Sequence, residues 1–122
     1  MTDARKGLGA MGERLAAENL EQHGLTILAR NWRCAVGEID IVAKDGDVVA
    51  VVEVKTRRGR GAGTPEQGIT ESKRLKLCEL AQAYIDATGW LGNVRIDVVG
   101  VELDRAGRLL RVSYWREAVD CW

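Results

Sequence analysis

At 122 residues, 46% of them hydrophobic and 30% charged, the chain has room for one domain with a real core but not for two, so 1–122 is read as one unit. Eighteen basic residues balance eighteen acidic ones, and the formal charge of zero argues against strong nonspecific affinity for nucleic acid over the whole surface. No apolar run approaches the span of a bilayer and no secretory h-region follows Asp3-Ala4-Arg5-Lys6; we therefore expect a cytoplasmic protein with no membrane partner.

In chain order, Gly7-Leu8-Gly9-Ala10-Met11-Gly12 formally matches GxGxxG. A dinucleotide site requires a preceding strand and an acid about twenty residues on, and both are missing. The glycines suggest a loose N-terminal arm instead. A helix follows over roughly 10–23, with Met11, Leu15, Ala16 and Leu20 at helical spacing and Gly24 placed to stop it. Glu13 lies at the flank of that stripe, where a first-turn acid suits the helix dipole. Leu25 to Arg30 reads as a strand ending at Asn31-Trp32-Arg33, with Trp32 more suited to a core or edge role than to stacking on a base.

The stretch Gly37 to Lys55 organises the chain. Two runs rich in β-branched residues flank Asp45-Gly46, a turn dipeptide, and predict a β-hairpin. A two-residue turn there pairs Lys44 with Asp47, Ala43 with Val48, Ile41 with Ala50 and Ile39 with Val52. That face is apolar. The other carries Val42, Val49 and Val51, then Glu38, Asp40, Glu53 and Lys55 at the open end. Asp40 and Glu53 become diagonal neighbours roughly 5–8 Å apart, and like charges so placed repel unless a cation sits between them. A few hard oxygen ligands suit Mg2+ or Mn2+, with the Val54 carbonyl as an extra ligand and Lys55 placed to hold a metal-activated water. The plain alternative is a solvated strand end where Lys55 neutralises Glu38 or Glu53.

A basic, glycine-rich loop runs over 56–65, where Arg57, Arg58 and Arg60 are candidates for phosphate contacts. Charge is uneven here: 53–76 holds seven basic residues and three acids, whereas 32–52 holds two and four. A phosphate-facing rim beside an acidic pocket has this pattern, and so does a solvated loop. A second helix is predicted over about 70–88, with Leu77, Leu80, Ala81 and Tyr84 on one stripe, Gly89 at its end and Lys73 one turn before Leu77. Lys73 either snorkels past the core or points at the acidic pocket.

Strands follow over 93–102 and 108–115 with a turn at 104–107, the first able to lie parallel to the Glu53 strand through the helical crossover. Asp97 is either a supporting acid or a partner for Arg95. The tail, 116–122, suggests a short helix, with Trp115 and Trp122 available for a dimer contact. Cys34, Cys78 and Cys121 are widely spaced and odd in number, so we expect reduced thiols, with Cys78 packed in a helix and no zinc site. His23, the single histidine, falls at a helix end rather than in a catalytic setting.

Gly12-Glu13, Asn31-Trp32-Arg33, Gly37-Glu38-Ile39-Asp40, Val52-Glu53-Val54-Lys55-Thr56-Arg57, Lys73 and Arg95-Ile96-Asp97-Val98 together resemble the YraN-like family of small bacterial proteins, over roughly 7–102. Within them, Asp40 and Glu53-Val54-Lys55 look like the PD-(D/E)xK nuclease motif, with Ile39 where the motif has proline. The resemblance implies an α/β fold of restriction-endonuclease type, a mixed sheet with a central antiparallel hairpin flanked by helices. It implies catalysis by Asp40, Glu53 and Lys55, with Mg2+ or Mn2+ held by Asp40 and Glu53. Glu13 would complete that site, as an acid on the first helix does in related nucleases, including archaeal Holliday-junction resolvases. Lys73 is turned toward the pocket on this reading and joins Arg57, Arg58 and Arg60 in seating nucleic acid, while Glu38 and Asp97 support from behind. The expected activity is hydrolysis of DNA phosphodiesters, selective for branched DNA and carried out by a homodimer. The alternative is an inactive nuclease-fold module that binds nucleic acid or a protein partner.

Overall fold

The computed structural model describes residues 4–59 and 68–121, with side chains from residue 9 onward. Seven elements follow one another: α1 (Ala4–Gln22), β1 (Thr26–Cys34), β2 (Gly37–Asp45), β3 (Val48–Arg58), α2 (Glu71–Thr88), β4 (Asn93–Leu103) and β5 (Leu109–Val119). The strands form one sheet in the order β1-β2-β3-β4-β5, antiparallel except where β3 and β4 run parallel through the α2 crossover. The α/β expectation of a mixed sheet around an antiparallel hairpin, flanked by helices, holds.

The layers follow from apolar residues on both faces of the central strands. Ala16, Ala17 and Leu20 of α1 pack on Ile41, Ala43, Ala50 and Val52. Leu77, Leu80, Ala81 and Tyr84 of α2 pack on Ile39, Val42, Val49 and Val51. Val49 to Val52 are thus buried from both sides, which is why β3 reads as a continuous apolar run rather than an alternating one. Trp32 packs edge-on against Tyr84 with ring centroids 5.3 Å apart, the core role its residue type favours. Helix α2 keeps its predicted bounds because Thr70 caps its N-terminus and Gly89 ends it in a left-handed conformation.

Four expectations are corrected. The hairpin turns at Gly46-Asp47 and pairs Asp45 with Val48, Ala43 with Ala50 and Ile41 with Val52, two residues away from the predicted register. Gly46 alone takes a positive φ, 59°, as a turn with glycine in its first position requires, and this leaves Asp45 in the strand with its carboxylate 2.8 Å from Arg95. The N-terminal glycines belong to α1 rather than to a loose arm. The tail continues as β5 to Val119 instead of forming a helix: between the pairs Val98↔Trp115 and Ile96↔Val119 the strand bulges, Glu117 takes φ 49°, and its N–H finds the buried Asp97 carboxylate at 3.0 Å. Finally, Cys78 and Cys121 form a disulfide with Cα atoms 5.7 Å apart, while Cys34 remains free. A separation of 43 residues hides this proximity, which arises because β5 brings the chain back to the side of α2.

Helix α1 reaches the sheet at one close contact. A Cβ on Gly12 would overlap Thr56 Oγ1 and come to 3.0 and 3.2 Å from Thr56 Cβ and Cγ2, so the hydroxyl would have to turn away and the threonine give ground. Gly12→Ala is therefore expected to destabilise the fold by about 1–2 kcal/mol net of alanine's better helix propensity, with Thr56→Ala restoring the loss, as read by urea denaturation. Reducing the Cys78–Cys121 bridge, or Cys121→Ser, should cost about 2–4 kcal/mol in the same measurement, since it opens a long loop in the unfolded chain.

Candidate metal and nucleic-acid site

The β2–β3 ladder ends at the pair Ile41↔Val52. In the observed register the next position sets Asp40 across from Glu53, where the two strands part. The Val54 N–H finds no ladder carbonyl there and instead donates to Asp40 Oδ2 at 2.8 Å. Strand β1 runs along the other side of β2, and α1 lies over this end of the sheet with Glu13 directly after the Gly12 contact. Glu13, Glu38 and Asp40 each bring a carboxylate oxygen to within 4.8 Å of the others. Among the described residues they are the one such group of three.

Asn31 ties the group together. It lies between the pairs Arg30↔Ile41 and Trp32↔Ile39, beside Asp40 across the β1–β2 ladder. Its Nδ2 donates to both oxygens of Glu13, at 3.0 and 2.9 Å, and to Glu38 Oε1 at 2.8 Å. Arg33 Nε lies 3.3 Å from the other Glu38 oxygen. In the sequence Asn31 is one letter of the Asn31-Trp32-Arg33 motif, and its one local signal is an amide residue interrupting a strand of apolar and aromatic residues.

Glu53 and Lys55 stand apart from the trio. Glu53 Oε1 is 3.0 Å from Lys73 Nζ, so Lys73 does turn inward, but toward a carboxylate. Lys55 Nζ donates to the Gly68 carbonyl at 3.2 Å, just before α2. The single patch expected of Glu38, Asp40, Glu53 and Lys55 is thus divided between α1 and α2, with Asp40 at the seam. Glu38 joins the acids themselves rather than backing them. Asp97 takes no part: fully buried, it accepts from Arg95 Nε at 3.0 and 3.1 Å, Tyr114 Oη at 2.6 Å and Glu117 N at 3.0 Å, a structural knot at the β4–β5 seam. Of the expected phosphate ligands, Arg58 donates from Nε to the Arg105 carbonyl at 2.9 Å, Arg57 lies against the Gly68 backbone, and Arg60 falls outside the described residues.

The electrostatics single out Asp40. Burial, then the facing Glu53 carboxylate and Glu13, push its carboxyl up to about 7, against the opposing pull of the Val54 N–H and the Lys73 ammonium. A site that resists holding all its negative charge without a counter-charge, and offers hard oxygens at this spacing, fits a small divalent cation: Asp40, Glu13 and Glu38 can supply oxygens directly and Glu53 faces Asp40 from β3.

The chain matches the uncharacterised protein family UPF0102 over residues 12–101, a span that contains every acid of the site. It is 44% identical over 119 residues to a UPF0102 protein of Pelotomaculum thermopropionicum, covering 97% of this chain and 99% of that one. It is 50% identical over 108 residues to one of Streptomyces coelicolor (86% and 83%) and 45% identical over 123 residues to one of Roseiflexus castenholzii (98% of each). The chain belongs to the UPF0102 family, the YraN-like family its sequence resembles. No helix among the described residues is long and apolar enough to cross a membrane.

The raised Asp40 carboxyl makes a signed prediction for the metal-free protein. Because the folded state holds this proton up to about pH 7 and the unfolded chain releases it near pH 4, the folded state is favoured in acid and loses that advantage as pH rises through 7. At pH 8 the wild type pays to ionise Asp40 and Asp40→Asn does not. Asp40→Asn should be the more stable by on the order of 1–2 kcal/mol at pH 8, after allowing for solvent contact, with the difference gone by pH 4. Thermal denaturation in chelator across that range checks it.

Proposed function

We propose that this protein is a metal-dependent endonuclease that hydrolyses phosphodiester bonds in DNA. The observation that carries the reading is the gathering of Glu13, Glu38 and Asp40 within 4.8 Å where the β2–β3 ladder opens, with Glu53 and Lys55 on the facing strand. Mg2+ or Mn2+ held by Asp40 and Glu13, with Glu38 or Glu53 completing the set, would polarise the scissile phosphate and lower the pKa of a bound water. Lys55 would exchange its Gly68 carbonyl for the reacting group, orienting the attacking water and offsetting charge that develops on the phosphate. Lys73, paired with Glu53 at 3.0 Å, would border the path of the phosphate backbone together with Arg57 and Arg58.

A formal charge of zero and the lack of any base-reading motif in the sequence favour recognition of DNA shape, hence branched substrates, over recognition of sequence. A chain this small covers little duplex, which favours a homodimer on such DNA. The cytoplasm, where chromosomal DNA lies, is the matching compartment.

One observation favours a second reading, a module of nuclease fold that binds nucleic acid or a protein without cutting: Glu53 and Lys55 are both engaged by internal partners. Incubation with single-stranded, duplex, flapped and four-way-junction DNA in Mg2+ or Mn2+ separates the two. The nuclease reading expects cleavage that chelator abolishes and that Asp40→Asn and Lys55→Ala each reduce by on the order of a hundredfold or more. Metal-independent binding with no product on any substrate supports the module.

A further inference from the structure

We infer that Asn31 is a positioning residue for the cation site: its side-chain amide clamps Glu13 and Glu38 around Asp40 so that their oxygens converge before a cation arrives. The inference rests on the metal-site reading above and goes beyond it, since Asn31 would touch neither the ion nor the substrate.

Three observations carry it. One amide nitrogen meets two carboxylates from different elements, Glu13 of α1 at 2.9 and 3.0 Å and Glu38 of β2 at 2.8 Å, spending both of its hydrogens on them. Two like charges held this close repel, and a donor shared between them offsets part of that repulsion while leaving other lone pairs of each carboxylate for a ligand. Further, Asn31 holds φ at 52° within a strand, one of two non-glycine residues in the left-handed region among the described residues. Asparagine bears that conformation better than most residues, and here it turns the amide toward α1. Finally, the clamp stands beside Asp40 across the β1–β2 ladder, so the residue that holds Glu13 and Glu38 is also the ladder neighbour of the third acid. Amides and carboxylates that orient metal ligands in this way have a known weight: losing one costs about ten- to a hundredfold in metal affinity.

The test is Mn2+ affinity by titration calorimetry on the metal-stripped protein, with no nucleic acid present. Asn31→Gly retains access to a positive φ and removes the amide, and it should weaken Mn2+ binding about tenfold while the circular dichroism spectrum stays that of the wild type. Because Asn31 acts through Glu13 and Glu38, the same substitution made in a Glu38→Gln protein, where one of the two carboxylates it clamps is already gone, should cost clearly less affinity than it does in the wild type. A normal affinity in Asn31→Gly, or an equal loss in both backgrounds, overturns the positioning role. If Asn31→Gly does not fold, Asn31→Asp, which keeps size and backbone preference but replaces the donor with an acceptor, is measured in both backgrounds under the same criterion of dependence on Glu38. A wild type that binds no Mn2+, or an Asp40→Asn protein that binds it as well as the wild type does, overturns the metal site itself and this inference with it.

Discussion

Everything at the candidate site depends on one interrupted ladder. Beyond Ile41↔Val52 the backbone of β2 no longer meets that of β3, and the Val54 N–H is satisfied by the Asp40 carboxylate instead. A partly buried amide must find an acceptor, and here the acceptor is a side chain. That exchange holds Asp40 at the mouth of the gap, brings it across from Glu53 and opens space into which Glu13 reaches from above. The raised proton affinity of Asp40 follows from the same geometry, because a carboxylate serving the backbone in a partly buried gap has acids on two sides and little water.

The two helices contribute unlike chemistry to that gap. Helix α1 brings an acid, and α2 brings a cation that answers Glu53. The sheet between them keeps the sides apart, so negative charge accumulates on the α1 side and is balanced on the α2 side. On the proposed nuclease reading, a polyanion would be drawn to the α2 border and repelled from the trio until a divalent ion neutralised it.

The elements and their faces were legible because β-branched alternation, helical spacing and the Thr70 and Gly89 caps are local signals. Near the turn the faces survived although the register did not: the hairpin shift is two residues and side chains alternate with period two, so Ile41 and Ala43 still meet the apolar partners expected for that side. At the open end, by contrast, Ile39 packs under α2 and Glu38 and Asp40 meet Glu13 of α1. What the shift changed was opposition, moving Asp40 from diagonal to level with Glu53. Asp45 favoured the strand over the turn because of Arg95, fifty residues away, and no local pattern reports such a partner. The same holds for Cys78 with Cys121, for the Glu117 bulge over Asp97 and for Asn31 between Glu13 and Glu38: each is a contact between residues that are near only once the sheet exists. The candidate acids could be named from the sequence, but their division between α1 and α2 could not, since it depends on which helix lies nearer each strand end.

The contact of Gly12 with Thr56 serves as a ruler for the whole arrangement. Gly12 is one peptide bond from Glu13 and Thr56 is one from Lys55, so the point where helix touches strand also sets the offset between an acid of the trio and the lysine of the facing strand. A helix resting on larger side chains can slide or roll over a smooth surface, as packed helices do in shear motions. Here a missing side chain on the helix receives a branched one on the strand, and a slide by one residue would drive the neighbouring Met11 or Glu13 into the threonine. Helix α1 is therefore indexed to β3 like a key in a notch, and the spacing of the charged groups is inherited from a contact between two uncharged ones.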